Sequence, residues 1–94
     1  MMAFIAFRRM TSKNLAQMQT AFHFFTTSGC HLCDEAKHVI EGELDLHQLS
    51  EIEIAFSEDL LNQYGTRIPV LKRLDNQHEL GWPFNKNELQ HFLK

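Results

Sequence analysis

Residues 24–33 read FFTTSGCHLC, a run of strand-forming residues that passes through a short polar loop into two cysteines. Cys30 and Cys33 are the only cysteines in the chain. Two sulfurs at this spacing can close a small disulfide ring, and the pair stands where an aromatic strand pattern gives way to a helical one. The stretch therefore predicts a reversible dithiol–disulfide pair at the start of a helix.

The predicted helix start acts on the first sulfur. A helix N-terminus carries about half a positive charge and unpaired backbone N–H groups, and both stabilise a thiolate. Such a position lowers a cysteine pKa from about 8.5 into the range of about 3.5–7.5. Cys33 lies one turn further along, on the face expected to contact the sheet. We therefore predict that Cys30 is the nucleophile and Cys33 the resolving thiol.

The whole sequence pattern predicts four strands and three helices. Strand patterns lie at 21–26, 52–56, 68–74 and 77–80, with a turn at Asp75-Asn76 before the last. Helical patterns lie at 30–41, at 57–64 between Ser57 and Gly65, and after Asn85, which with Glu88 resembles a capping box. The order β-α-β-α-β-β-α makes the first two strands parallel with a right-handed crossover. It places the cysteines at the carboxyl end of the sheet, where open α/β sheets bind ligands.

The composition is that of one globular domain. Ninety-four residues allow a single core, and 44% hydrophobic and 22% charged residues are ordinary values. A net charge of −3 without a basic stripe argues against a nucleic-acid partner. No apolar run approaches the roughly 18 residues that cross a bilayer, so we expect no membrane partner. Residues 2–7 are too short an apolar run for a secretory signal, and we expect a cytoplasmic protein.

The domain is predicted to span residues 20–94. Residues 1–19 carry little regular pattern and are predicted to form an N-terminal extension outside the core fold. Packing of this extension on an edge of the domain and self-association are the alternatives. Met10 and Met18 are further candidate translation starts. We expect a monomer.

Two other interpretations of the cysteine pair stay open. Zinc would need two more ligands, for which His23, His31 and His38 are the candidates. Structural zinc sites usually bring a second pair at regular spacing, which this chain lacks, and we predict no metal. The second interpretation is a coincidental pair of unremarkable thiols.

Three segments match a known pattern in the expected order. They are FFTTSGCHLC at 24–33, YGTRIPV at 64–70 and GWPF at 81–84. With them the chain resembles glutaredoxin-like proteins of the thioredoxin superfamily over roughly residues 20–94. The resemblance implies an α/β thioredoxin-like fold, with a central mixed four-stranded sheet flanked by helices. It also implies a thiol–disulfide oxidoreductase of cell redox homeostasis, with Cys30 and Cys33 as its catalytic residues.

The resemblance also bears on the substrate site. Pro69 matches the proline that is cis in these folds and packs beside the disulfide, which leaves the backbone of Ile68 free to pair with a peptide or glutathione backbone. Arg67, two residues earlier, is a candidate partner for a substrate carboxylate. His31 places a cation beside the thiolate when it is protonated. The expected substrate is a disulfide-containing protein or a small thiol, with glutathione as a candidate reductant and no metal or organic cofactor.

The chain also departs from ordinary glutaredoxins. His31-Leu32 stands where they carry Pro-Tyr, and Gly81-Trp82-Pro83 replaces a Gly-Gly-Asp type turn that holds glutathione. The tryptophan-led motif of thioredoxins is absent too. The resemblance therefore specifies neither glutathione nor a general protein-disulfide substrate. A non-catalytic binding module that presents the groove at Pro69, or holds a metal on the two cysteines, is the alternative function.

Overall fold

Residues 20–94, the part of the chain that the computed structural model describes, form four strands and three helices; the predicted extension 1–19 lies outside them. The strands are Phe22–Thr26 (β1), Leu49–Glu53 (β2), Val70–Arg73 (β3) and Glu79–Gly81 (β4). The helices are His31–Glu41 (α1), Glu58–Tyr64 (α2) and Lys86–Leu93 (α3), with a short 3-10 turn at Leu46–Gln48. The predicted order β-α-β-α-β-β-α is confirmed.

The strands form one mixed sheet in the order β2-β1-β3-β4. β1 and β2 run parallel, with Thr26 opposite Glu53, whereas β3 is antiparallel to both β1 and β4. A parallel neighbour needs a crossover, which α1 supplies. The carboxyl ends of β1 and β2 therefore lie at the same edge of the sheet, and the loop that carries Cys30 leaves from that edge.

The predicted boundaries of the second strand are wrong. The alternation at 52–56 suggested a strand there, but β2 ends at Glu53 because its register with β1 runs out at Thr26. The amide of Ile54 still donates to the Thr26 carbonyl at 3.0 Å, after which the backbone turns away. Ile54 enters the core, whereas Phe56 is left in solvent. Strand pairing, which the alternation does not encode, decided the boundary.

The last two strands are also shorter or shifted. The segment predicted at 68–74 is a strand only from Val70 to Arg73, and Pro69 has no N–H to donate to a ladder. The strand predicted at 77–80 is Glu79–Gly81, because Gln77 has a φ of 65° and belongs to the turn. The hairpin itself is present as predicted.

The helix ends follow the predicted signals. Ser57 accepts a hydrogen bond from the Leu60 amide at 3.2 Å at the start of α2, and Gly65 caps its end. At the start of α3 the amides and side chains of Asn85 and Glu88 exchange two hydrogen bonds of 2.8 and 2.9 Å, which confirms the capping box. No helix within residues 20–94 is both long and apolar enough to span a bilayer.

The core has two parts, one on each face of the sheet. Successive strand residues point to opposite faces, so Phe24 and Phe25 of β1 enter different clusters. One cluster covers the face of α1 and α3 and contains Phe24, Cys33, Ala36, Ile40, Leu71, Phe84 and Leu89. The other covers the face of α2 and contains Phe25, Ile54, Tyr64 and Val70. Cys33 thus anchors the first turn of α1 in the core.

Candidate active site

Cys30 occupies the N-cap position of α1. Its backbone is extended, with φ −85° and ψ 105°, and its Sγ accepts a hydrogen bond from the Cys33 amide at 3.1 Å. Ser, Thr, Asp and Asn usually fill this position, because their side-chain oxygens accept from the same backbone groups. A thiolate at this position gains that N–H and the positive end of the helix dipole. The geometry therefore stabilises negative charge on the first sulfur.

A tight turn delivers Cys30 to the helix. The Cys30 amide donates to the Thr27 carbonyl at 3.3 Å, and Gly29 has a φ of 78°. A type II turn requires positive φ at its third position, which glycine adopts without strain. This turn therefore connects β1 directly to the first residues of α1.

The two cysteines differ in access. They are joined as a disulfide with their Cα atoms 5.2 Å apart. Cys33 is only 3% exposed and belongs to the core, whereas Cys30 is partly exposed and packs at the border of that core. An incoming sulfur can reach Cys30 first, and the predicted roles of nucleophile and resolving thiol fit this arrangement.

Glu53 holds the loop that carries Cys30, a role that the sequence did not reveal. Its two carboxylate oxygens accept the amides of Ser28 and Ala55, each at 3.0 Å. The hydrogen bond from the Thr27 side chain, followed by that from the Ala55 backbone, lowers the pKa of Glu53 from its usual 4.5. One carboxylate therefore ties the loop after β1 to the loop after β2.

The lowered pKa of Glu53 predicts that its contribution to the free energy of unfolding is lost in acid. Because the folded-state pKa of Glu53 lies below its unfolded value, the contribution is full above about pH 4.5 and is lost as the pH falls through the folded pKa. We expect Glu53→Gln, which cannot accept both amides and does not titrate, to have a lower urea midpoint than the wild type at about pH 7. The gap should narrow at about pH 3. Equal midpoints at neutral pH, or a gap independent of pH, would contradict the role assigned to Glu53.

Ile68 and Pro69 lie against the same core as the disulfide. The Ile68–Pro69 peptide bond is cis, Pro69 is fully buried, and Ile68 packs against the cluster that contains Cys33. The expectation of a free Ile68 backbone is wrong for its N–H, which donates to the Tyr64 carbonyl at 3.0 Å, because the last carbonyls of α2 need donors. Within residues 20–94 its carbonyl oxygen accepts no hydrogen bond, so only this half of the backbone is open to a substrate.

Arg67 is committed to an internal network. Its guanidinium pairs with Glu79 and lies 5.1 Å from the centre of the Tyr64 ring. The Tyr64 hydroxyl donates to the same carboxylate at 2.6 Å, and burial, together with this hydrogen bond, raises the pKa of Tyr64 to about 12. The predicted contact between Arg67 and a substrate carboxylate would have to compete with Glu79.

The basic residues of α1 are also paired. His31 is exposed, and its Nε2 lies 2.7 Å from a carboxylate oxygen of Glu35, which opposes the effect of an imidazolium on the neighbouring sulfur. Lys37 reaches across to Glu51 of β2, and this hydrogen bond raises the pKa of Lys37. Among the residues of α1, the helix terminus and not an unpaired side-chain cation is therefore the main positive influence on Cys30.

The candidate zinc ligands do not converge. Among residues 20–94 no group of three or more His, Cys, Asp or Glu side chains lies close enough to hold a metal ion. His23 is on β1, where burial and then the charge of Lys72 lower its pKa. His38 is on the exposed side of α1, and its Nδ1 lies 3.6 Å from the Oε1 of Glu41. The structure of residues 20–94 therefore brings none of His23, His31 and His38 to the two cysteines as a third metal ligand.

Comparison with known proteins places the fold. The family model of the glutaredoxin-like domain (DUF836) matches residues 22–94. The X-ray structure of target protein XcR50 from X. campestris is 29% identical, covers 78% of this chain and 95% of its own, and has a TM-score of 0.70. The solution structure of the same target is 28% identical, covers 79% and 92%, and has a TM-score of 0.66. No protein of curated function matches the chain.

Proposed function

The chain belongs to the glutaredoxin-like domain family (DUF836), and from this we propose that it is a thiol–disulfide oxidoreductase. One observation carries the proposal: Cys30 is partly exposed and caps α1, its sulfur accepts the Cys33 amide, and Cys33 itself is buried in the core. A nucleophile needs access and a stabilised anion, and a resolving thiol needs proximity and protection. The positions of Cys30 and Cys33 in the fold support the proposal on each of these points.

The reaction begins from the reduced pair. The Cys30 thiolate attacks one sulfur of the substrate disulfide, a mixed disulfide forms, and the other substrate sulfur leaves as a thiolate. Cys33 then gives its proton to water and attacks Cys30 Sγ, which closes the ring and releases the second substrate thiolate. Both released thiolates take protons from water. Two electrons pass from the cysteine pair to the substrate.

The cycle closes when a thiol reductant opens the Cys30–Cys33 disulfide. Two glutathione molecules, or a dithiol reductase, can supply the two electrons by the same exchange in reverse. In the reducing environment of a cytosol the net direction is reduction of the substrate. The open carbonyl of Ile68, beside Pro69, is the backbone position to which we assign the substrate chain. No step requires a metal or an organic cofactor.

Alkylation kinetics test the central claim. In Cys33→Ser only Cys30 reacts, and the amide of residue 33 remains in place. We expect the alkylation rate with iodoacetamide to titrate well below the unperturbed cysteine value of about 8.5, because the helix terminus favours the thiolate. The same variant unfolded in urea is the matched control. If folded and unfolded protein titrate together, the oxidoreductase proposal fails.

The competing function is a non-catalytic module that carries a metal on the two cysteines. Metal analysis of anaerobically purified protein separates the two. Stoichiometric zinc or iron that is lost in Cys33→Ser would support the module, whereas an oxidoreductase comes out free of metal and reduces a model disulfide. The lack of a third ligand within residues 20–94 favours the enzyme.

A further inference from the structure

Two exposed apolar side chains lie at the edge of the sheet that carries the thiols. Phe56, in the loop after β2, is 93% exposed, and Leu32, between the two cysteines, is 49% exposed. Single exposed apolar residues are common on protein surfaces. The ring of Phe56, however, is almost entirely in water and lies at the same edge of the sheet as the thiols. Packing it against a partner would remove apolar surface from water, which is favourable.

The structure ties the loop of Phe56 to the loop of Cys30. Ile54 donates to Thr26 at the ends of the two parallel strands. The carboxylate of Glu53 then bridges Ser28 and Ala55, the residue before Phe56. Both loops leave the same edge of the sheet, and the Glu53 carboxylate links them. We call Leu32 and Phe56 the apolar pair.

Exposed carboxylates lie at the same edge of the sheet as the apolar pair. α1 and α2 both begin at this edge, and their first turns carry Asp34, Glu58 and Asp59, all exposed. Three basic side chains on or beside the elements of the site are paired with carboxylates. These pairs are His31 with Glu35, Lys37 with Glu51 and Arg67 with Glu79. The edge therefore favours a ligand with apolar and basic groups.

We propose that the preferred substrates are polypeptide disulfides with an apolar side chain next to the reacting cysteine and basic residues around it. The apolar side chain packs on Leu32 and Phe56, and the basic residues face the carboxylates of Asp34, Glu58 and Asp59. Glutathione disulfide, which is small and rich in carboxylates, suits this edge poorly. The inference rests on the proposed oxidoreductase function and specifies its substrate class.

The first test compares three disulfides against the reduced full-length protein. Two are peptides of the same length joined through a disulfide, one flanked by Phe and Lys and the other by Ser and Glu; the third is hydroxyethyl disulfide. We expect the second-order rate constant to be about tenfold or more higher for the Phe/Lys peptide than for the Ser/Glu peptide at low salt. The difference should shrink in high salt, because charge attraction is screened.

The second test uses a matched pair of surface variants. Leu46 is 41% exposed and precedes β2, so it lies at the opposite end of that strand from Phe56. We expect Phe56→Ser to lower the ratio of the Phe/Lys peptide rate to the hydroxyethyl disulfide rate by about tenfold. Leu46→Ser should leave this ratio unchanged. Circular dichroism of both variants establishes that each remains folded.

The outcomes separate this inference from the function on which it rests. If the wild type reduces none of the three disulfides, the proposed oxidoreductase function itself falls. If it reduces hydroxyethyl disulfide but shows no peptide preference, or if Phe56→Ser leaves the ratio unchanged, only the substrate class is overturned. A dimer that dissociates in Phe56→Ser, with the ratio unchanged, would assign the apolar pair to a contact between two copies of the chain and would also overturn it.

Discussion

Cys30→Ala is expected to reduce disulfide reduction by at least about a thousandfold, to the rate of the uncatalysed exchange. The loss is this large because Cys33, the only other cysteine in the chain, is buried in the core. The measurement is the second-order rate constant for a small disulfide with the reduced protein. Residual activity within tenfold of the wild type would contradict the assignment of Cys30 as nucleophile.

Cys33→Ser provides the matched control for this prediction. The variant keeps the amide that donates to the Cys30 sulfur, so the first attack should proceed at a rate close to that of the wild type. Release of the mixed disulfide should fail, because the resolving sulfur is missing. Mass spectrometry of the intact protein should then show the wild-type chain mass, less the change from sulfur to oxygen, plus half of the substrate disulfide. If the variant turns over normally, Cys33 is not the resolving thiol.

Phe24→Ala is expected to lower the free energy of unfolding by about 3–5 kcal/mol, which is a large share of the stability of a small domain. Phe24 is 1% exposed on β1 and packs in the cluster that contains Cys33, Ala36 and Leu71. Removing the ring leaves a cavity beneath the first turns of α1, and the packed neighbours can fill it only in part. Urea unfolding of the oxidised protein, followed by circular dichroism, measures the loss.

The exposed ring of Phe56 makes the matched control for Phe24. Phe56→Ala removes the same number of atoms from a side chain that is 93% exposed. It should therefore change the free energy of unfolding by no more than about 0.5 kcal/mol. Both variants must be compared in the same redox state, because the disulfide contributes to stability. A loss below about 1 kcal/mol for Phe24→Ala would contradict the two-sided core described above.

The prediction from sequence was accurate where neighbours in the chain decide the structure. The cap of α2 at Ser57 and the capping box at Asn85 both involve hydrogen bonds between residues three positions apart. Such interactions depend on residue type and spacing alone, which makes them readable in the sequence. For the same reason the position of Cys30 at a helix start was predictable, and with it the candidate nucleophile.

The prediction failed where the pairing of the sheet decides. The alternation at 52–56 indicated a strand, but the parallel register with β1 placed β2 at Leu49–Glu53. The contact of Arg67 with a substrate carboxylate stays a prediction, but Glu79 of the hairpin strand already pairs with Arg67 and would compete for it. In each case the competing partner belongs to another element of the fold.

The spacing of the thiols, the helix start at Cys30 and the order of the strands and helices were all encoded along the chain. The partners of the charged groups around the site were not. Glu53 meets Ser28 across 25 positions, Lys37 meets Glu51 across 14 and Arg67 meets Glu79 across 12. Such contacts exist only after the strands have paired in one register, because a shift of one residue turns every side chain to the other face. The reactive sulfur could therefore be found in the chain, whereas its electrostatic surroundings and its accessible apolar neighbours depended on the folded sheet.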